Sequence, residues 1–240
     1  MEKFETDNEE KKNIPEVQTY TVPLDLGETK EKISITTNTP PKPSKEQLIN
    51  QAIQFHLKGN ISEAAKYYKY CIKQGFNDSM VFSNYGDILK SIGALQEAEL
   101  YTRKAIELNP NFVDAHYNLG ITLIELGKLQ EAELSTRKAI ELKPDLADAH
   151  YNLGNILSDL GKLQEAELSY RKAIELKPDF AEAYSNLGTI LKTFGKLQAA
   201  ELSYRKAIEL KPDYADAHSN LGNILSDLGK LQAAELSTRK

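Results

Sequence analysis

The chain has 240 residues, 40% of them hydrophobic and 27% charged, with a formal net charge of -5. An acidic chain with a pI near 5.5 lacks the basic patch that neutralises phosphates, which argues against a nucleic-acid binder. One cysteine, Cys71, rules out an internal disulfide and a cysteine-built zinc site, and no apolar run is long enough to span a membrane.

Residues 1–44 read as a charged, flexible tail. The opening MEKFETDNEEKK carries charge where a secretory leader would be apolar, so a reduced, cytoplasmic setting is expected. Tyr20, Val22, Leu24 and Leu26 alternate, a pattern open to a short strand as well as to a flexible tail. TPPKPS (39–44) makes a stiff linker into the first helix.

From Lys45 the chain repeats. Gly59, Gly93, Gly127, Gly161, Gly195 and Gly229 fall 34 residues apart, and Gly86, Gly120, Gly154, Gly188 and Gly222 run seven residues ahead of their partners. Pro110, Pro144, Pro178 and Pro212 keep the same step. The units are 45–78, 79–112, 113–146, 147–180, 181–214 and an incomplete 215–240. Residues 147–172 and 215–240 differ only at Tyr151/Ser219, Glu165/Ala233 and Tyr170/Thr238.

The 147–180 unit shows what each repeat should build. Ala149, Leu153, Ile156, Leu157 and Leu160 have the three-and-four spacing of a buried helix stripe. Gly161 suits the left-handed residue just past a helix end. Lys162–Leu176 predicts a second helix, with Leu163, Ala166, Tyr170, Ala173 and Ile174 inward. Proline in Lys177-Pro178-Asp179 stops that helix, and Asp179 is expected to cap the next. Gly154, Ala166 and Ala173 are small where two helices must approach closely. A single hairpin buries too little apolar surface to offset the ordering of 34 residues, so neighbouring units must share one interior.

These residues resemble the tetratricopeptide repeat family. Its signature reads here as His150, Leu153-Gly154, Leu157, Ala166, Tyr170, Ala173 and Pro178, with counterparts in the other units. There are departures: the family's tryptophan is replaced by Phe82, His116, His150, Tyr184 and His218, and the second aromatic by Thr102, Thr136 and Thr238. The first unit diverges most, with Ala52, Cys71 and Phe76 at signature positions, as a capping repeat would. The resemblance implies an all-α fold, a right-handed superhelical α-solenoid of tandem helix-turn-helix repeats, and a protein-protein interaction adaptor or scaffold. It also implies that the first helices line a concave groove holding an extended peptide.

On each first helix the second, fifth, sixth, ninth, twelfth and thirteenth positions fall on the side away from the core stripe. The sixth is always asparagine: Asn50, then Asn84, Asn118, Asn152, Asn186 and Asn220. An amide offers donor and acceptor together and can pair with both groups of a peptide unit. Helices about 10 Å apart, against a strand rising about 3.3 Å per residue, let one asparagine meet every third residue of a bound chain. The array is similar in this to the superhelix of O-linked N-acetylglucosamine transferases. The other reading of the column is packing between helices. Asp114, Asp148, Glu182 and Asp216 repeat at the second position, joined by Asp87, Glu125, Asp159 and Asp227 and opposed by Lys90 and Lys192. A neutral or basic extended partner is therefore expected, although acids in a first turn also suit the helix dipole.

Catalytic and cofactor chemistry is not called for. The histidines stand one per unit, too far apart to share a metal. Gly154 and Gly161-Lys162-Leu163 miss the phosphate-loop spacing and its serine or threonine. Cys71 stands where a small buried residue belongs. The sequence stops at Lys240 inside a predicted second helix, which raises self-association through an uncapped end, or a substrate-recruiting part of a truncated or split glycosyltransferase or sulfotransferase.

Overall fold

A computed structural model describes residues 43–229, all of the regular structure among them helical. The helices run in pairs: α1 (Lys45–Leu57) with α2 (Ile61–Lys73), α3 (Ser79–Ser91) with α4 (Leu95–Leu108), and α5 (Val113–Glu125) with α6 (Leu129–Leu142). Then come α7 (Ala147–Asp159) with α8 (Leu163–Leu176), α9 (Ala181–Thr193) with α10 (Leu197–Leu210), and α11 (Ala215–Asp227). Each second helix also packs on the first helix of the next pair, and α3, α5, α7, α9 and α11 touch in succession. This is an all-α solenoid. The readings made for the tail, its possible strand, the second helix of the last unit and the uncapped end fall on residues 1–42 and 230–240, outside the described residues.

Turn chemistry within each pair follows the glycine at its expected place. In the 147–180 unit, Gly161 has φ +73°. Its N–H donates to the Ser158 carbonyl at 2.9 Å while the Lys162 N–H reaches back to Leu157 at 2.8 Å, closing the helix end. The turn between pairs departs from expectation. Asp179 does not cap α9; the cap position is Phe180, with no side-chain cap bond. Packing takes precedence there, because Phe180 is 8% exposed and its ring packs, tilted by 39°, against Tyr151 with centroids 4.7 Å apart. Of the helices α2 to α11, only α2 and α3 carry a side-chain cap, from Asn60 and Asp78.

The interior is shared between units, as the area argument requires. One buried cluster joins Leu153 and Leu157 of α7, Tyr170 of α8, Leu187 and Leu191 of α9 and Ile224 of α11. Ala64, Ala98, Ala132, Ala166 and Ala200, one per second helix, are fully buried. At Gly154 the approach is tight: an added Cβ would sit 2.6 Å from Tyr170 Cε1. Histidine fills the missing tryptophan's slot and ties it down, with Nε2 of His116, His150 and His218 donating to the carbonyls of Pro110, Pro144 and Pro212 at 2.8, 3.0 and 2.8 Å.

An ion-pair zipper stitches the second helices together. Glu133 of α6 holds Arg137 on its own helix at 3.0 Å and Lys162 of the next unit at 2.8 Å, while Arg137 reaches on to Glu165 at 2.7 Å. Glu99 with Lys128 and Arg103, and Glu167 with Arg171 and Lys196, repeat the pattern. The carboxylates are mostly buried, yet the leucine that follows each of them, such as Leu134, stands 64–70% exposed. Burial pushes the three carboxyls up, but the hydrogen bonds from lysine and arginine outweigh it and hold their pKa below the usual range.

Candidate functional site

The open side of the first helices carries the asparagine column, and its members are not equivalent. Asn84, Asn118, Asn152, Asn186 and Asn220 are half-buried, and Asn50 is exposed. Asn152 Nδ2 donates to the Tyr117 hydroxyl at 3.4 Å, and Asn186 Nδ2 to the Tyr151 hydroxyl at 3.3 Å. Both tyrosines are fifth residues of the preceding unit. Asn84 finds a tyrosine by another route, donating to Tyr68 of α2 at 3.0 Å. Asn118 and Asn220 follow units with Ser83 and Ser185 at the fifth position, and no such clamp forms for them among the described residues.

The fifth position belongs to the joint between units rather than to the open side assigned to it by helical rotation. Ser83 and Ser185 are 1% and 3% exposed, and Tyr151 is wedged between Tyr170 and Phe180. A first helix is flanked by two other units, which cover a wider arc of it than one partner would. This is what orients Asn152 and Asn186: a tyrosine pinned in the joint takes an amide N–H of the next asparagine and leaves Oδ1 as an acceptor.

The charges resolve into two sets. Asp114, Asp148, Glu182 and Asp216 sit in the first turns of their helices, and Glu182 is bridged by Lys211 at 3.4 Å. Asp87 accepts from Lys90 at 2.8 Å and approaches His56 at 3.9 Å, so the positive charge of Lys90 is neutralised on its own helix. Glu125, Asp159 and Asp227 are exposed at the last turns of theirs. The face remains acidic.

A depression of about 460 Å³ opens across α5, α7 and α9, with Tyr170 of α8 as its floor. The Tyr170 hydroxyl donates to Asn155 Oδ1 at 2.8 Å, and Asn186 Nδ2 donates to the same oxygen at 2.9 Å. Burial, helped by neighbouring Tyr151, pushes the Tyr170 hydroxyl far above its ordinary pKa, so it stays a proton donor. Ser158, Asp159 and Thr189 complete the polar lining, and Ile124 and Ile190 the apolar. Helical rotation already puts Asn186, Asn155, Thr189, Ile124, Ser158 and Asp159 on the open side, but it does not show that they meet around Tyr170 and Ile190. A further signal is that the ninth position breaks the repeat: Ile53, Asp87, Ile121, Asn155, Thr189 and Asn223.

Comparison with known proteins agrees with the architecture. Tetratricopeptide repeat models match residues 147–180, 101–133 with 169–201, and 81–112, and a TPR repeat model matches 122–161 and 194–229. Together the matches run unbroken from 81 to 229. No curated protein sequence matches. Among solved structures, MamA is similar at 27% identity and TM-score 0.62, over 64% of this chain and 90% of its own. YrrB, described as a TPR protein with an unusual peptide-binding site, is similar at 26% identity and TM-score 0.64, over 72% and 90%. Pseudomonas aeruginosa PilF, at 15% identity and TM-score 0.71 over 80% and 88%, shares the fold. With its 34-residue helix pairs, shared interior and near-continuous model matches, the chain belongs to the tetratricopeptide repeat family.

Proposed function

We propose that this array is a protein-interaction scaffold that holds an extended peptide segment, neutral to basic, along the open face of its first helices. The observation that carries this reading is the tyrosine clamp, in which Asn152 and Asn186 each donate an N–H, to Tyr117 and Tyr151 respectively, and keep the amide oxygen as an acceptor. An amide fixed in this way meets a strand with little further loss of side-chain freedom. Asn84, Asn118 and Asn220 extend the contact, and the acidic Asp114, Asp148, Glu182 and Asp216 select against acidic partners. YrrB, with its peptide-binding site, supports the class of ligand.

The setting proposed is cytoplasmic, in keeping with a free, buried Cys71. Among the described residues no helix is long and apolar enough to cross a membrane. The test of the groove is a peptide array probed with the full chain and with a variant in which Asn118, Asn152 and Asn186 are all alanine. The reading expects neutral and Lys/Arg-containing peptides to be retained and the triple variant to bind at least tenfold more weakly. Preference for Asp/Glu-rich peptides, or equal binding by the triple variant, would refute it.

A further inference from the structure

The depression above Tyr170 has an unequal hydrogen-bond inventory. Both N–H groups of Asn186 are spent, on Tyr151 and on Asn155, and the Tyr170 O–H is spent on Asn155. The lining is therefore rich in acceptors: Asn186 Oδ1, the Ser158 hydroxyl and the exposed carboxylate of Asp159. Against these stand two donors, Asn155 Nδ2 and the Ser158 hydroxyl, since the Thr189 hydroxyl is already engaged by the Ser185 carbonyl and Tyr204. The lining carries no cation, and its apolar part is aliphatic, Ile124 on one side and Ile190 on the other. A ligand matching this has many donors, a positive charge and an aliphatic stem.

Resting on the peptide-groove reading above, we propose that this depression is a subsite for a lysine or arginine side chain of the bound segment. The stem lies between Ile124 and Ile190, and the cationic head meets Asp159, Ser158 and Oδ1 of Asn186. The subsite is not repeated in the preceding unit, where the equivalent residues are Ile121, Ile124, Glu125 and Thr136. Thr136 is buried beside Gly120 and far shorter than the tyrosine it replaces. One cation-binding position in an otherwise sequence-tolerant groove sets the register of the bound chain.

The test uses two acetylated, amidated ten-residue peptides of Ser, Thr and Ala that differ at one central residue, lysine or norleucine, measured by fluorescence anisotropy at low salt. Norleucine keeps the stem and removes the ammonium. The full chain should bind the lysine peptide about tenfold more tightly, and Asp159→Asn should bring the ratio close to one with an unchanged melting profile. Equal binding of both peptides by the unmodified chain, or a preference that survives Asp159→Asn, overturns the subsite and leaves the groove standing. Failure to bind either peptide overturns the groove and the subsite with it. n-Butylamine supplies the same chemistry free in solution; if it alone binds as tightly as the lysine peptide, the assignment to a peptide side chain is wrong.

Discussion

Nζ of Lys162 lies 2.8 Å from Oε2 of Glu133, twenty-nine residues earlier and one unit away. Lys162 stands in the turn before α8, and Glu133 faces it from α6. Because Glu133 also holds Arg137, a single carboxylate joins two cations across the joint. Glu133→Gln should destabilise the array by about 1 kcal/mol, discounted because the lysine and arginine are 44% exposed. A fall in the urea midpoint without a change in slope is the measurement. No change would mean that the zipper is decorative.

The same carboxylates make stability depend on pH in a definite direction. Glu99, Glu133 and Glu167 have folded-state pKa values lowered from the ordinary glutamate value. A lowered folded value means the contribution is complete above the unfolded pKa, about 4.3, and is lost as the pH falls through the folded values beneath it. The urea midpoint should therefore hold from pH 7 to about 5 and drop below that. The gap between the unmodified chain and Glu133→Gln should narrow over the same acid range.

One bridge of the zipper is missing. Arg137 reaches Glu165, and Arg103 pairs with Glu131, but the matching residue for Arg171 is Ala199. Ala199→Glu should add a second partner to Arg171 and stabilise the array by about 0.5 kcal/mol at low salt. Thermal melts at two salt concentrations check this, since the gain should fade at high salt.

Two glycines seven residues apart, Gly154 and Gly161, should fail for different reasons. Gly154→Ala drives a methyl into the Tyr170 ring, which is 2% exposed and tethered to Asn155. The expected loss is about 1–3 kcal/mol, despite the better helix propensity of alanine. Gly161→Ala meets nothing within 4 Å but must hold φ +73°, at a cost of about 1 kcal/mol. Denaturant melts rank them. In addition, Gly154→Ala alone should alter binding at the depression that Tyr170 floors.

The sequence by itself determined the fold, because in a tandem array the local period already states the tertiary neighbours. A Gly161 every 34 residues ends a helix, a Pro178 ends its partner, and the leucine stripe of one unit has nowhere to go but against the next. It also located the asparagine column, since an unbroken column is visible without coordinates. Only the tertiary structure decided how Asn152 and Asn186 of that column are held. Tyr117 and Asn152 are 35 residues apart, so no helical wheel pairs them, and rotation alone put the fifth position on the wrong side by ignoring the neighbouring units. The same holds for Phe180 displacing Asp179 from the cap, for Glu133 and Lys162, and for Asn155, Tyr170 and Asn186. Periodicity reports what every unit shares. The differences between units acquire meaning only where packing brings residues from three helices to one place.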